Sequence, residues 1–569
     1  MGASRVRAVW LFAGATLAVL VLTAGASGRP TAAVTPAAPS FARSFASVPK
    51  TPAGRRARRI LVVGQEQDVA GFNTALACCN GVWANAQSVP VIRGAFITSN
   101  TLAPVKDLVV RAHATPTTLS YTIRPKAFWN WGGRKIPVTY EDFVYTWHAL
   151  VDPANAVAVR AGYDQITGFT HRGSKQVTFT WAKPYAAWQS LFRTVFPSTA
   201  LTGTDFNRAW TSCICGSDGK PVSDGPFVLT SYTRGAGSTL RPNPFWYGAK
   251  PRLKEVDFKL VADTNAEVQA MRHGAVDAIN PTFDVGLVPL ESTKGVTYGQ
   301  VPGLFQEHLD LQFGSQGQPL LRAPWLRRAL MLGINRSAIV TTLYGELAGG
   351  IRPLDSLLFH QVDSSYRPDF RRWSFNPRKA LALLRSHCTD GPTHVSASNA
   401  SIWVCSGIRA SFRYTWTASD LTRTTEETLI KAQLRSIGIE IVDAPLPAKT
   451  VFGPSGIPSS NYDLADFAWI TTGDPADFAP IWGCGGESNY LQYCNRNLTQ
   501  LFDESATELD PKRRLALFQR ADALLAEDLP SIPLYSRPDP LIRRSAVAGM
   551  RDNPSASGLT WNIEHWRWR

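Results

Sequence analysis

After Thr23 no stretch of this chain approaches the ~18 consecutive apolar residues of a membrane-spanning helix, so no later segment is expected to cross a bilayer in that form. Charge is sparse too. Only 18% of residues are charged against 44% hydrophobic, a balance that excludes an intrinsically disordered chain. Acids are the minority sign: 44 Asp and Glu face 59 Lys and Arg, giving a formal charge of +15. The only dense basic run is Arg55-Arg56-Ala57-Arg58-Arg59, in a linker rather than on an element. No nucleic-acid partner is expected, and the charge reads as a basic surface facing an anionic envelope. Catalytic signatures are also missing. There is no G-x-S-x-G elbow, no H-E-x-x-H helix and no nucleotide motif, and the nine histidines are scattered. Asp474 and Asp477, on a proline-interrupted loop, are not placed to flank a glycosidic bond. Neither an enzyme nor a cofactor is expected. No internal repeat is apparent.

What is present begins with an address. Arg5 and Arg7 precede an uncharged stretch from Ala8 to Thr23, and Ala24-Gly25-Ala26 offers small residues for cleavage. Residues 1–26 read as a secretory signal, with an uncleaved anchor as the alternative, and residues 27–59 as a tether rich in Ala, Pro and Ser. The first cysteine is Cys78, so no lipid-modified cysteine follows this signal. An exported protein with eight cysteines is expected to form disulfides. The natural local pairs are Cys388–Cys405 and Cys484–Cys494. The other four would link the Cys78/Cys79 loop to the Cys213/Cys215 loop, because Cys-Cys and Cys-x-Cys lack the spacing of structural zinc sites.

Capping residues mark the helices. Thr139 with Asp142 opens TYEDFVYTWHALV, and Thr264 with Glu267 opens a helix that Gly274 closes. Asn376-Pro377 starts RKALALLR. Thr424 with Glu427 starts a helix running to Gly438, with Ile430, Leu434 and Ile437 on one face. Asp510-Pro511 opens the last long helix, whose buried stripe is Phe518, Ala521, Leu525 and Leu529. Short strands lie between them: RILVVGQ ended by Gly64, then VTFTW, EVDFKLV, HLDLQF and SIPLYS. Helices and strands interleave without a strict βαβ count, which predicts an α/β protein with mixed sheets.

Five segments, in order, resemble the family 5 extracellular solute-binding proteins, the dipeptide- and oligopeptide-binding receptors of ABC importers. They are PKAFWNWGGRKIPVTYEDFVYTWHALVDP (Pro125–Pro153), GPFVLTSYTRGAGSTLRPNPFWYG (Gly225–Gly248), ADTNAEVQAMRHGAVDAI (Ala262–Ile279), LRRALMLGINRSAI (Leu326–Ile339) and DPKRRLALFQRADALLAEDLPSIPLY (Asp510–Tyr535). Within the fourth, Arg328 and Arg336 lie about two helical turns apart and read as structural anchors to carboxylates. The resemblance implies a two-lobed, periplasmic-binding-protein-like fold, with lobe I over 60–302, lobe II over 303–530 and a return to lobe I over 531–569. The crossings would be VPGLFQEHLDLQF and SIPLYSRP. It also implies a monomeric receptor, in the periplasm or on the outer face of the cytoplasmic membrane. The receptor would close on a short peptide and dock on a permease with ATPase subunits. The alternative keeps the fold and changes the cargo to a metal complex or a sugar-like or hydrophobic molecule, or retires the protein into sensing or cell-wall binding.

The same resemblance assigns the loop ITTGDPADFAPIWGC (Ile470–Cys484) to the ligand cleft. The dipeptide receptors carry an aspartate just before Gly-Asp-Pro that pairs with the ligand's ammonium. Here Thr471 and Thr472 stand at that point, and Asp474 matches the Asp-Pro turn. An ammonium buried without an anion costs several kcal/mol. Either the ligand lacks a free amine, then, or Glu307, Asp310 or another acid replaces the missing one. Further cleft candidates are Trp469, Phe305, His308, Tyr163 and Tyr535, with no metal ligand among them.

Overall fold

RILVVGQ forms strand β1 (Ile60–Gln65), with Leu61 and Val63 fully buried. Gly64 lies inside this strand rather than ending it, packed so closely that a Cβ there would sit 2.8 Å from Ile279 Cγ2. The structure is a computed structural model, and the described residues are 59–569, except 77, 262, 282, 284, 346–350, 397–400, 419 and 453–454. The leader and all of the tether except Arg59 therefore fall outside the described residues. No helix among those described is long and apolar enough to cross a membrane.

A ten-stranded mixed sheet organises the chain. Its other strands are β2 (Phe227–Thr233), β3 (Gly237–Pro242), β4 (Glu255–Leu260), β5 (Ala278–Ile279), β6 (Val296–Leu311), β7 (Ser411–Thr415), β8 (Glu440–Asp443), β9 (Leu464–Ile470) and β10 (Ser531–Arg544). The spatial order is β2-β3-β4-β1-β5-β10-β6-β9-β7-β8. β1 runs parallel to β4 and β5, and β7 parallel to β8 and β9, whereas β10, β6 and β9 pair antiparallel. Mixed pairing of this kind is what interleaved helices and strands without a strict βαβ count produce.

Two large hydrophobic cores flank this sheet. One gathers residues from Leu61 to Phe258 together with Leu541 to Trp566; the other gathers Leu309 to Tyr535. β6 and β10, at 16 and 14 residues, lie side by side; β10 gives Leu541 to the first core and Ile532, Leu534 and Tyr535 to the second, and β6 gives Leu309 and Leu311 to the second. Their pairing is regular from Val296↔Arg544 to Pro302↔Pro538, shifts before Gln306↔Ser536 and shifts again after Glu307↔Tyr535. Bulges of this kind bend a strand pair and increase its twist.

Helix starts show where local signals compete. Helix α1 (Tyr140–Val151) has the full capping box of Thr139 and Asp142. Helix α2 (Thr264–His273) begins one residue earlier than Thr264 predicts: the cap is Asp263, whose Oδ1 accepts from the Ala266 N–H at 2.8 Å. LRRALMLGINRSAI is two helices, α3 (Pro324–Gly333) and α4 (Arg336–Tyr344), because Asn335 caps a new start. Arg328 and Arg336 therefore do not share one helix face: Arg328 pairs with Glu527 and Arg336 with Asp355, each at 2.7 Å. Helix α5 (Pro377–His387) is capped by Asn376. Helix α6 (Leu421–Arg435) is capped by Asp420 rather than Thr424, whose hydroxyl donates back to the Asp420 carbonyl within the helix. Helix α7 (Pro511–Asp528) starts at Asp510, with Phe518, Ala521, Leu525 and Leu529 all buried.

Cys388–Cys405 and Cys484–Cys494 are both disulfides, closing 17- and 10-residue separations. The other four cysteines correct the expectation of a link between loops: they pair locally, Cys78–Cys79 and Cys213–Cys215. The two loops are neighbours, with the Phe72 N–H donating to the Trp210 carbonyl at 2.8 Å. Each loop nevertheless turns its own sulfurs together, with Cα atoms 3.8 and 5.4 Å apart. Replacing Cys484 and Cys494 by serine is expected to lower stability by about 2–3 kcal/mol through restored loop entropy, read as a drop in thermal midpoint against the parent protein. An unchanged midpoint under oxidising conditions would show the bridge to be unformed in solution.

Candidate ligand-binding site

Strand β9 delivers the loop. Its pairing with β6 sets Ile470 opposite Phe305, and both side chains are exposed, at 66% and 44%. Below this apolar pair the strands are covered on both faces, so the residues that follow Phe305 on β6 are buried. After Ile470 the chain turns through Gly473, which has φ +91°. Asp474 caps a short 3₁₀ turn (Pro475–Phe478) by accepting from the Ala476 N–H at 2.9 Å. Both Asp474 oxygens also accept from Arg514 of α7, each at 3.1 Å. Asp477 Oδ2 accepts from the backbone and hydroxyl of Thr472 at 2.7 and 2.8 Å. The Thr471 hydroxyl lies 2.7 Å from His360 Nε2 and accepts from the Gly473 N–H at 3.3 Å. Burial lowers the His360 pKa to about 3, so this imidazole is neutral. Both aspartates and both threonines are thus committed to building the loop.

Segments of the first core meet this loop from the other side. A Cβ on Gly473 would come within 2.9 Å of Leu102 Cδ1. The Ser364 N–H donates to the Thr101 carbonyl at 3.3 Å, and Trp188 Nε1–H donates to the Leu509 carbonyl at 3.4 Å. Tyr185 and Arg193 both lie in the field of Asp474 and Asp477. Tyr185, Arg193, Leu102, His360 and Arg514 had no distinguishing signal in the sequence, since each depends on contacts between distant segments.

The remaining predicted residues lie below this surface. Tyr163 is inside the first core, where its hydroxyl accepts from the Phe192 N–H at 2.6 Å. Tyr535 is fully buried with its hydroxyl on Glu426. His308 is buried, with Nδ1 3.0 Å from the Gln306 carbonyl and Nε2 3.5 Å from Asp310. Burial lowers its pKa, and the Asp310 carboxylate outweighs burial to raise it overall. Trp469 is half-buried, parallel to His308 at 6.0 Å and edge-on to Phe467 at 5.0 Å. His308, Tyr163 and Tyr535, expected as cleft residues, are thus enclosed at central-strand and core positions. Neither candidate replacement acid reaches the surface either. Asp310 is buried against His308, and Glu307 is buried between Arg423, at 3.1 Å, and Arg537.

Glu307 belongs to a buried cluster between β6, β9, β10 and α6. Carboxylate oxygens of Glu307, Glu426 and Asp466 lie within 4.8 Å of one another. Tyr414 donates to Asp466 at 2.8 Å. Burial, then the Glu307 charge, raises the Asp466 pKa to about 7, and burial pushes Glu426 well above the usual carboxyl range. The counter-charge a cation would bring is already supplied by Arg423 and Arg537, so the cluster ties β6, β9, β10 and α6 together as a lock.

Residues 111–490 match the profile of bacterial extracellular solute-binding proteins, family 5. The chain belongs to this family. The family 5 chain is 29% identical over 462 residues to the oligopeptide-binding protein OppA of Mycobacterium tuberculosis (strain H37Rv), covering 78% of itself and 72% of that protein. It is 25% identical over 328 residues to the peptide transport periplasmic protein SapA of Salmonella typhimurium (strain LT2), covering 56% and 55%. Among solved structures it resembles the periplasmic murein tripeptide-binding protein MppA in its unliganded open form, with TM-score 0.74, 16% identity and coverage of 90% and 98%. It also resembles the periplasmic EDTA-binding protein EppA, with TM-score 0.69, 21% identity and coverage of 90% and 96%. The fold is accordingly the two-lobed α/β fold of periplasmic binding proteins.

Proposed function

We propose that this protein is the extracytoplasmic receptor of an ABC importer that captures short peptides between its lobes. The lobes divide at 60–302, 303–530 and 531–569, with β6 and β10 as the hinge. Ligand contacts with both lobes favour the closed form, which docks as a monomer on a membrane permease and its ATPase subunits. Export places it in the periplasm or on the outer face of the membrane. The observation that carries this reading is family membership in a chain related to OppA over most of its length. A non-peptide cargo is the second reading, favoured by Thr471 and Thr472 standing where the dipeptide receptors keep an acid. Native mass spectrometry of the protein purified without denaturation from its own envelope tests the choice. A ladder of short-peptide masses is the expected result; one discrete non-peptide adduct would replace the first reading with the second.

A further inference from the structure

A cavity of about 640 Å³ lies beside the start of α4, and no residue of the Ile470–Cys484 loop lines it. Its volume is within the range of pockets that take small organic molecules. Contacts between distant segments fix its walls. Asn335 caps α4 by accepting from the Ala338 N–H at 3.0 Å. Pro353 and Leu354 are pinned to β10, where the Leu354 N–H donates to the Leu534 carbonyl at 3.0 Å. Arg336 reaches the same strand and donates to the Pro533 carbonyl at 2.9 Å. The Asp355 N–H donates to the Tyr366 hydroxyl at 2.8 Å, and the Asp355 carbonyl accepts from the Phe370 N–H at 3.0 Å. Phe370 belongs to a 3₁₀ turn (Asp369–Trp373) that also carries Arg371. Pro302 of β6 lines the cavity as well, at the last regular pair before the register shift at Gln306.

The charge inside this frame is unbalanced. Three arginines, Arg336, Arg352 and Arg371, line the cavity with a single acid, Asp355. That acid is already shared: Oδ1 lies 2.7 Å from Arg336 Nη2, and Oδ2 lies 3.5 Å from Arg371 Nε. Arg352 is exposed and is left without an acid among the lining residues. Arg371, at the longer distance, keeps 67% of its side-chain surface exposed. Beside them the lining is apolar, from Ile334, Pro368 and above all Phe375, whose ring is 43% exposed. Incompletely neutralised guanidiniums and an uncovered aromatic ring thus share one cavity.

We propose that this cavity is a second binding site, separate from the cargo cleft, for a small organic anion with an apolar body, such as an aryl phosphate or an aromatic carboxylate. Arg352 and Arg371 receive the anionic head, because a guanidinium offers its planar fork to phosphate or carboxylate oxygens. Phe375 and the neighbouring prolines cover the body. A ligand held there contacts β6 as well as the start of α4. The site goes beyond the importer reading and does not depend on what the cleft carries.

The test is calorimetric titration of the full chain, as wild type, Arg352→Gln, Arg352→Lys and Phe375→Ala, with phenyl phosphate, inorganic phosphate and benzylamine. Thermal midpoints recorded alongside separate loss of the site from loss of the fold, and Phe375→Leu serves if the alanine variant does not fold. Phenyl phosphate is expected to bind more tightly than inorganic phosphate, and benzylamine not to bind. Arg352→Gln should weaken phenyl phosphate about 10-fold or more, equivalent to ~1.4 kcal/mol. Arg352→Lys should recover part of that loss, and Phe375→Ala should erase the preference over inorganic phosphate. Phenyl phosphate that fails to bind, or binds unchanged in both Arg352→Gln and Phe375→Ala, would overturn the site. Equal affinity for the two phosphates in the wild type would overturn the apolar body. Native mass spectrometry of Arg352→Gln should show the same co-purifying cargo as wild type. Loss of that cargo would make the cavity part of the cleft and overturn its separateness, leaving the importer reading standing.

Discussion

Glu307→Ala should lower stability by about 3–5 kcal/mol, the range for removing one partner of a buried ion pair. Glu307 is fully buried on β6, between Arg423 of α6 and Arg537 of β10. Without it, two guanidiniums lose their shared counter-charge beneath β6 and β10. The remaining acids soften the loss, because the Glu307 charge is one of the causes holding the Asp466 and Glu426 pKa values up. Asp466 is accordingly expected to titrate below its present value of about 7 in the variant. Urea unfolding monitored by tryptophan fluorescence reads the first effect, and Glu307→Gln, which keeps the shape but not the charge, separates electrostatics from packing. A loss under ~1 kcal/mol in both variants, the scale of an exposed pair, would show that the cluster does not lock these strands to α6.

The second large effect is on pH dependence. Burial is the first cause raising the carboxyl pKa values of Glu267 and Asp552 to about 8, of Asp466 and Asp522 to about 7 and of Asp539 to about 6. An acid with a raised folded pKa binds its proton more tightly when folded. The associated stability is complete below its unfolded pKa near 4 and is lost as pH rises through the folded value. His360 has the opposite sign: with a folded pKa of about 3, it withdraws stability as pH falls below ~6.5. Between about pH 8.5 and about pH 6.5 His360 does not act, while His308, whose pKa is raised, loses stability with rising pH in the same direction as the acids. The thermal midpoint should therefore rise by ~3–5 °C on acidification across that window, since a chain this long gains on the order of 1 °C per kcal/mol. Scanning fluorimetry at constant ionic strength measures it. A flat profile, or a maximum at the alkaline end, would show that these carboxyls are ionised at little cost.

The legible parts of this protein were those settled within a few residues. Asn376-Pro377 and Asp510-Pro511 start helices because an N-cap needs only the next three N–H groups. Cys484 and Cys494 pair because ten residues with glycines between them bring two sulfurs together readily. Where two local signals compete, the nearer reading failed: Asp263 and Thr264 are both good caps, as are Asp420 and Thr424, and the aspartate is the cap each time.

The cleft divides along the same line. That Asp474 serves the turn was readable, because Asp-Pro geometry is local. That His308, Tyr535 and Glu307 are enclosed was not, because β6 and β10 alternate sides like any strands and only their neighbours decide which sides are covered. The sequence by itself determined the helix starts at Thr139, Asn376 and Asp510, two of the bridges, the fold class and the family, all of which rest on short-range or ordered patterns. Which charges are paired, which are buried and which remain to meet a ligand was decided only when residues hundreds of positions apart came into contact.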